Sequence, residues 1–243
     1  MKNIFAFGDS VMKGIITDNA PHNAGVFKYR ISDNSFVCRC EQMLGRPIEN
    51  LARFGNTIVT GAKLMDRYLN KISSEDIVVL EFGGNDCNFN WEEVAAHPSK
   101  HHGPMVGLAE FGEHYRTMIN RIKELGAIPI LLTLPILESQ LFFDFVSRGL
   151  NKENIMKWLG GNVNYINNWH EQYNLEIFNI GMTEDVRVID ISTVFLKQRN
   201  LSAYYCADGM HPNEKGHQLI AEAIKEKLAT IKEIPHGVWG MVS

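Results

Sequence analysis

Five short apolar runs constrain the fold of this chain more than any other feature. They are Ile4–Phe7, Ile48–Leu51, Ile77–Phe82, Pro129–Leu134 and Val186–Ile191. A strand with one wet face alternates apolar and polar residues. Several of these runs are instead near-continuous in Val, Ile, Leu and Phe, the pattern of parallel strands covered on both faces.

Helical periodicity follows the runs. Asp33-Asn34-Ser35 supplies capping side chains before Phe36, Val37, Cys40, Met43 and Leu44, and Gly45 stops that helix. Further apolar stripes run from Thr60 to Leu69, from Leu108 to Leu125 with Gly126 as stop, from Val163 to Tyr173, and from Asn213 to Ile231. Strands alternating with helices imply right-handed βαβ units and a parallel sheet. There is no internal repeat, low-complexity tract or Pro/Gly/Ser linker, so one domain over 1–243 is expected. Three segments exceed ordinary loops: Ile15 to Ser32, Cys87 to Gly107 and Pro135 to Gly161. Each follows a strand on its carboxyl side, the edge where open α/β sheets bind ligands.

Bulk properties exclude some functions. A net charge of -4 with no basic run offers no nucleic-acid footprint. No run of about 18 apolar residues predicts a membrane span. The N-terminal apolar stretch is shorter than a signal peptide requires, so a cytoplasmic location is expected. The four cysteines, Cys38, Cys40, Cys87 and Cys206, are then expected as free thiols. No metal or cofactor is expected.

Four short sequences carry chemistry. Phe7-Gly8-Asp9-Ser10 closes the first run and places a hydroxyl at the sheet edge, where a serine either caps a helix or reacts. Ala207-Asp208-Gly209-Met210-His211-Pro212 precedes the last helix. A serine nucleophile needs a base, and the base needs an orienting carboxylate. Asp208 and His211 stand three residues apart, so one turn can bring the carboxylate to Nδ1 while Nε2 points outward. A surface or capping histidine is the alternative. Phe82-Gly83-Gly84-Asn85-Asp86 offers a side-chain amide to a developing oxyanion, or is an ordinary polar turn. Arg53-Phe54-Gly55-Asn56-Thr57 offers the Gly55 N–H, or is an ordinary glycine turn.

All four fall at strand ends on one edge of the sheet. In that order they resemble the SGNH, or GDSL-type, hydrolase family, over nearly the whole chain. One mild departure is Val11, where such proteins usually carry leucine. The resemblance implies a flavodoxin-like αβα sandwich with five parallel strands in the order 2-1-3-4-5. It implies Ser10, Asp208 and His211 as catalytic residues, with the Ser10 N–H, Gly55 N–H and Asn85 amide as oxyanion hole. It also implies a small-molecule ester as substrate. A carbohydrate O-acetyl ester is the leading expectation, ahead of a lysophospholipid or thioester. A non-catalytic flavodoxin-like binding protein is disfavoured because no glycine-rich phosphate loop is present. An α/β-hydrolase is disfavoured because Met12 stands where Gly-x-Ser-x-Gly needs glycine.

Other residues receive plainer expectations. Asp9 and Asp86 should hold their turns by accepting N–H groups. Asp190 is a rival acid, distant in sequence from His211. His97, His101 and His102 read as a solvated loop. Phe89, Trp91, Phe142, Phe143, Tyr204 and Tyr205 are expected on loops, where they either line a pocket or fill the core. The apolar tail from Ile234 to Val242 would pack on its own domain or on a partner, and oligomeric state stays open.

Overall fold

The computed structural model describes residues 2–17 and 27–232. The apolar tail lies outside them. Five parallel strands form the central sheet: β1 (Ile4–Gly8), β4 (Glu49–Asn50), β5 (Ile77–Glu81), β6 (Ile128–Leu132) and β7 (Arg187–Ile189). Their spatial order is β4-β1-β5-β6-β7, the 2-1-3-4-5 arrangement of a flavodoxin-like sandwich. All five expected runs are strands. The second is only two residues long, because Glu49–Asn50 is an edge strand paired through Phe5 and Ala6 alone.

Alternation along β1 divides the core. Phe5 and Phe7 point to one face, where Val78 and Leu80 meet Ile58 and Met65 of α3 (Ile58–Asp66), Phe111, Tyr115 and Ile119 of α5 (Leu108–Glu124), and Tyr173 and Ile177 of α8 (Asn164–Thr183). Ala6 points to the other. There Leu132 and Ile189 pack on Phe36 and Val37 of α2 (Phe36–Leu44), Phe195 of α9 (Thr193–Leu196), and Ile220 and Ile224 of α10 (Glu214–Lys232). Both faces are therefore dry, which explains the continuous apolar runs.

The helix signals hold at their caps. Ser35 accepts the Cys38 N–H, and Gly45 ends α2 in the left-handed conformation. The fourth stripe differs: α8 runs on to Thr183, well past Tyr173, because its second half buries Asn174, Ile177 and Ile180. The three long segments are also more ordered than expected. The first contains an antiparallel pair, β2 (Ile15–Thr17) and β3 (Tyr29–Ile31). The second holds α4 (Trp91–Ala96), and the third holds α6 (Ser139–Val146) and α7 (Lys152–Trp158). Short helices with too few turns to show a stripe leave no period to read. Trp91, Phe142 and Phe143 thus lie on helices, not loops.

Candidate active site

The carboxyl end of β1 makes the first half of the site. Gly8 must be glycine: a Cβ there would lie 2.6 Å from Met12 Cβ and 2.7 Å from the Glu81 carbonyl oxygen. That close approach admits α1 (Ser10–Lys13) directly after the strand. Asp9 caps it, its Oδ1 accepting the Val11 N–H at 2.8 Å. Glu81 Oε2 accepts the Met12 N–H at 3.1 Å. Ser10 is therefore held at the first helical position by carboxylates on both sides.

The second half comes from the far end of the chain. Between the bridge Tyr205–Pro212, the backbone folds into a tight turn in which Cys206 N–H donates to the His211 carbonyl at 2.8 Å. Gly209 lies at φ +68°, and a Cβ there would meet the Phe142 nitrogen at 2.4 Å. Asp208 Oδ1 accepts the N–H groups of Met210 at 3.1 Å and His211 at 3.0 Å. Its Oδ2 lies 2.7 Å from His211 Nδ1. His211 Nε2 lies 2.8 Å from Ser10 Oγ. With Nδ1–H donating to the carboxylate, Nε2 is left to accept the serine proton. Burial works to raise the Asp208 pKa. The His211 hydrogen bond and charge and the two N–H donors outweigh it and hold the carboxyl below its ordinary range. Asp208 and His211 are fully buried and Ser10 is 4% exposed.

The two remaining sequence-predicted residues sit on adjoining strand ends. Asn85 follows β5, and its Nδ2 donates to the Asn56 carbonyl at 2.9 Å and to Asp9 Oδ2 at 3.3 Å. Gly55 lies exposed beside Asn56 at φ +74°. Asn56 in turn donates from Nδ2 to the Gly8 carbonyl at 3.3 Å. The ends of β1, β4 and β5 are thereby tied into one surface. Asp9 holds its own turn as expected. Asp86 also takes its own N–H, and its Oδ1 accepts the Ile58 N–H at 2.8 Å, capping α3 from a distance. Burial pushes the Asp86 carboxyl up to about 7.

Tertiary contacts add residues that motif reading missed. Tyr29 and Phe54 flank the imidazole of His211, with ring centroids at 5.3 Å and 5.9 Å. Burial and then the Asp208 carboxylate push the Tyr29 hydroxyl above its usual range. A cavity of about 20 Å³ adjoins Ser10 and Asn85 and is lined by Val11, Leu134, Leu137, His170 and Met210. Phe89, Trp91 and Phe142 line a second, aromatic cavity that shares Gly84, Leu137 and Met210 with the first. Phe143 and Tyr205 are buried core, Tyr205 against Phe195. His217 on α10 is a buried histidine whose Nδ1 accepts the Phe36 N–H at 3.4 Å; burial lowers its pKa to about 4.

The rival candidates are engaged elsewhere. Asp190 Oδ1 accepts the N–H groups of Ser192 at 2.9 Å and Thr193 at 3.0 Å, at the start of α9. His102 Nε2 lies 3.0 Å from the His97 carbonyl. Among the described residues, no group of three His, Cys, Asp or Glu is placed to hold a metal ion. The four cysteines are free thiols. No described helix is long and apolar enough to cross a membrane.

Comparison with known proteins agrees with this geometry. Residues 6–219 match the GDSL-like Lipase/Acylhydrolase family, and the chain belongs to it. It is thus a hydrolase of carboxylic esters. No curated protein matches the chain. Among solved structures, the lipase/acylhydrolase from Enterococcus faecalis is 21% identical over 95% of this chain and 97% of that one, with a TM-score of 0.61. A member of the lipolytic G-D-S-L family from Veillonella parvula is 15% identical over 94% and 99%, with a TM-score of 0.63. A catalytic mutant of an acetylxylan esterase from Geobacillus stearothermophilus is 20% identical over 93% and 94%, with a TM-score of 0.60. At these identities the structures share the fold.

Proposed function

We propose that the protein cleaves short-chain acyl esters through an acyl-enzyme on Ser10. One observation carries this reading: the unbroken, buried chain from Asp208 through His211 to Ser10, with contacts of 2.7 Å and 2.8 Å. His211 Nε2 takes the Ser10 proton as Oγ attacks the ester carbonyl, and Asp208 stabilises the imidazolium. The leaving alcohol takes that proton from His211. Water then attacks the acyl-enzyme, His211 again acting as base and returning the proton to Ser10.

The oxyanion receives the N–H groups of Ser10 and Gly55 and the Asn85 amide. The Val11 and Met12 N–H groups are already taken by Asp9 and Glu81, which leaves the preceding Ser10 N–H for the substrate. Asn85→Ala should lower kcat by on the order of 10²–10³ with an unchanged melting temperature. Near-wild-type turnover would remove Asn85 from the oxyanion hole.

Acyl length follows from space. A cavity of about 20 Å³ beside Ser10 holds about one water molecule, hence about one methyl group. Adjoining the aromatic cavity, an open groove of about 430 Å³ is lined by Phe89, His101, His102, Trp158, Tyr165 and Trp169. Ring faces with polar edges suit a carbohydrate alcohol better than a lipid tail, and a structure of similar fold is an acetylxylan esterase. A carbohydrate O-acetyl ester is therefore the favoured substrate class.

Fluorophosphonate labelling followed by peptide mapping should place the adduct on Ser10. An adduct elsewhere, or none, would overturn the nucleophile assignment. Acetyl esters should exceed octanoyl esters in kcat/KM by at least about tenfold, since the longer chain must leave the cavity walls or displace them. The reverse order, or preference for lysolipids or acyl-thioesters in the same panel, would reject the short-acyl reading.

A further inference from the structure

Glu81 is the last residue of β5 and lies directly beneath the Asp9–Met12 turn, fully buried. Its Oε2 accepts the Met12 N–H at 3.1 Å, and the carboxyl also takes the Asp9 N–H. Oε1 faces no hydrogen-bond donor. Asp9 is buried beside it, close enough for the two carboxyls to repel when both are charged. The cavity that both line contains neither lysine nor arginine. Two adjacent buried carboxyls repel one another when both are ionised, which favours a proton on one of them.

Donor geometry decides which. The Asp9 carboxylate accepts N–H groups from Val11 at 2.8 Å and from the Asn85 amide at 3.3 Å, arrangements that suit a charged acceptor. Glu81 has one oxygen that accepts and one with no hydrogen-bond partner, so a charge on this carboxyl would be poorly solvated and the neutral acid is favoured. We propose that Glu81 is a positioning residue, kept protonated beside the Asp9 carboxylate, and that this pair fixes the Ser10 turn and the Asn85 amide for acyl transfer. This rests on the assignment of Ser10 and Asn85 made above.

The electrostatics agree. Burial, then the Asp9 charge, push Glu81 well above the ordinary carboxyl range, whereas burial takes Asp9 only to about 6. Asp86, Tyr115, His170 and His211 also face the pair. A carboxyl whose pKa is raised by folding binds more protons in the folded than in the unfolded state. Its contribution is therefore intact below the ordinary carboxyl range and is lost as pH rises toward the raised value. Ionised Glu81 would repel Asp9 and loosen the turn under Ser10.

Glu81→Gln and Glu81→Leu test this. Gln is neutral at every pH and keeps one acceptor and one donor, whereas Leu keeps neither. Glu81→Leu should lower kcat about 100-fold with KM within about threefold, a loss of the order of one oxyanion donor. Glu81→Gln should recover most of that loss and hold its kcat on the alkaline side, where the wild type falls. Thermal melts give a readout free of catalysis. The melting temperature of Glu81→Gln minus that of the wild type should grow from about pH 5 to about pH 9, spanning roughly the ordinary to raised carboxyl range. If Gln rescues no better than Leu, or that difference stays constant with pH, the proposal fails. Should Leu not fold, the Gln profile and melts still decide. A wild type without esterase activity would reject the functional reading alone, because the melts test the carboxyl pair by themselves.

Discussion

Replacing His211 with alanine is expected to lower kcat by on the order of 10⁵–10⁶, the scale on which a serine hydrolase loses its base. Ser10 Oγ donates to His211 Nε2 at 2.8 Å, and among the described residues no other imidazole hydrogen-bonds that hydroxyl. His170, which lines the same cavity, lies beside Glu171 at 3.3 Å and takes no part in the Asp208–His211–Ser10 chain. Water in the imidazole's place is far too weak a base to do its work. The decisive measurement is the double variant. Residues that act as one unit are strongly non-additive, so Ser10→Ala with His211→Ala should be no slower than either alone. Losses that multiply would mean that the two act in separate steps, and would break the proposed mechanism. Steady-state kinetics on a short acyl ester, with melting curves as a folding control, suffice.

Asp208→Asn is the second large effect, a fall in kcat of about 10⁴, as when the same exchange is made in a serine-protease triad. Its origin is tautomeric. Asn Oδ1 can still accept the N–H groups of Met210 and His211, so the turn survives. The amide NH₂ then faces Nδ1 and donates to it. That forces the imidazole proton onto Nε2, which can no longer accept from Ser10. The variant should therefore fold, bind substrate with a similar KM and turn it over very slowly. It should also lose part of the acid sensitivity of the wild type. Folding lowers the Asp208 pKa, so this carboxylate stabilises above its ordinary range and ceases to do so as pH falls. A fall in kcat of less than about tenfold would show that Asp208 does not set the tautomer of His211.

Local signals were legible wherever a short stretch carries its own constraint. Ser35 and Gly45 cap the two ends of α2, and both act within a few residues of themselves. The Asp208–His211 pair was visible for the same reason, since both carboxylate contacts close within one turn. Short helices were not. Leu141, Phe142, Phe143 and Phe145 fall in α6, whose eight residues are too few turns to repeat a stripe. The β2–β3 pair escaped because its strands are three residues each.

The sequence by itself determined which groups can react: a serine, a histidine with its aspartate, an asparagine and a glycine, each at the carboxyl end of a strand or just before the last helix. Alternating runs and turn residues suffice for that, because strand ends in a parallel sheet converge on one edge. Only the tertiary structure decided what surrounds them. Glu81 and Asp9, Tyr29 and Phe54 with His211, and the small cavity beside Ser10 are contacts between segments far apart in the chain. Where a buried proton resides, and how long an acyl group fits, depend on burial and neighbours in space, which no local pattern encodes.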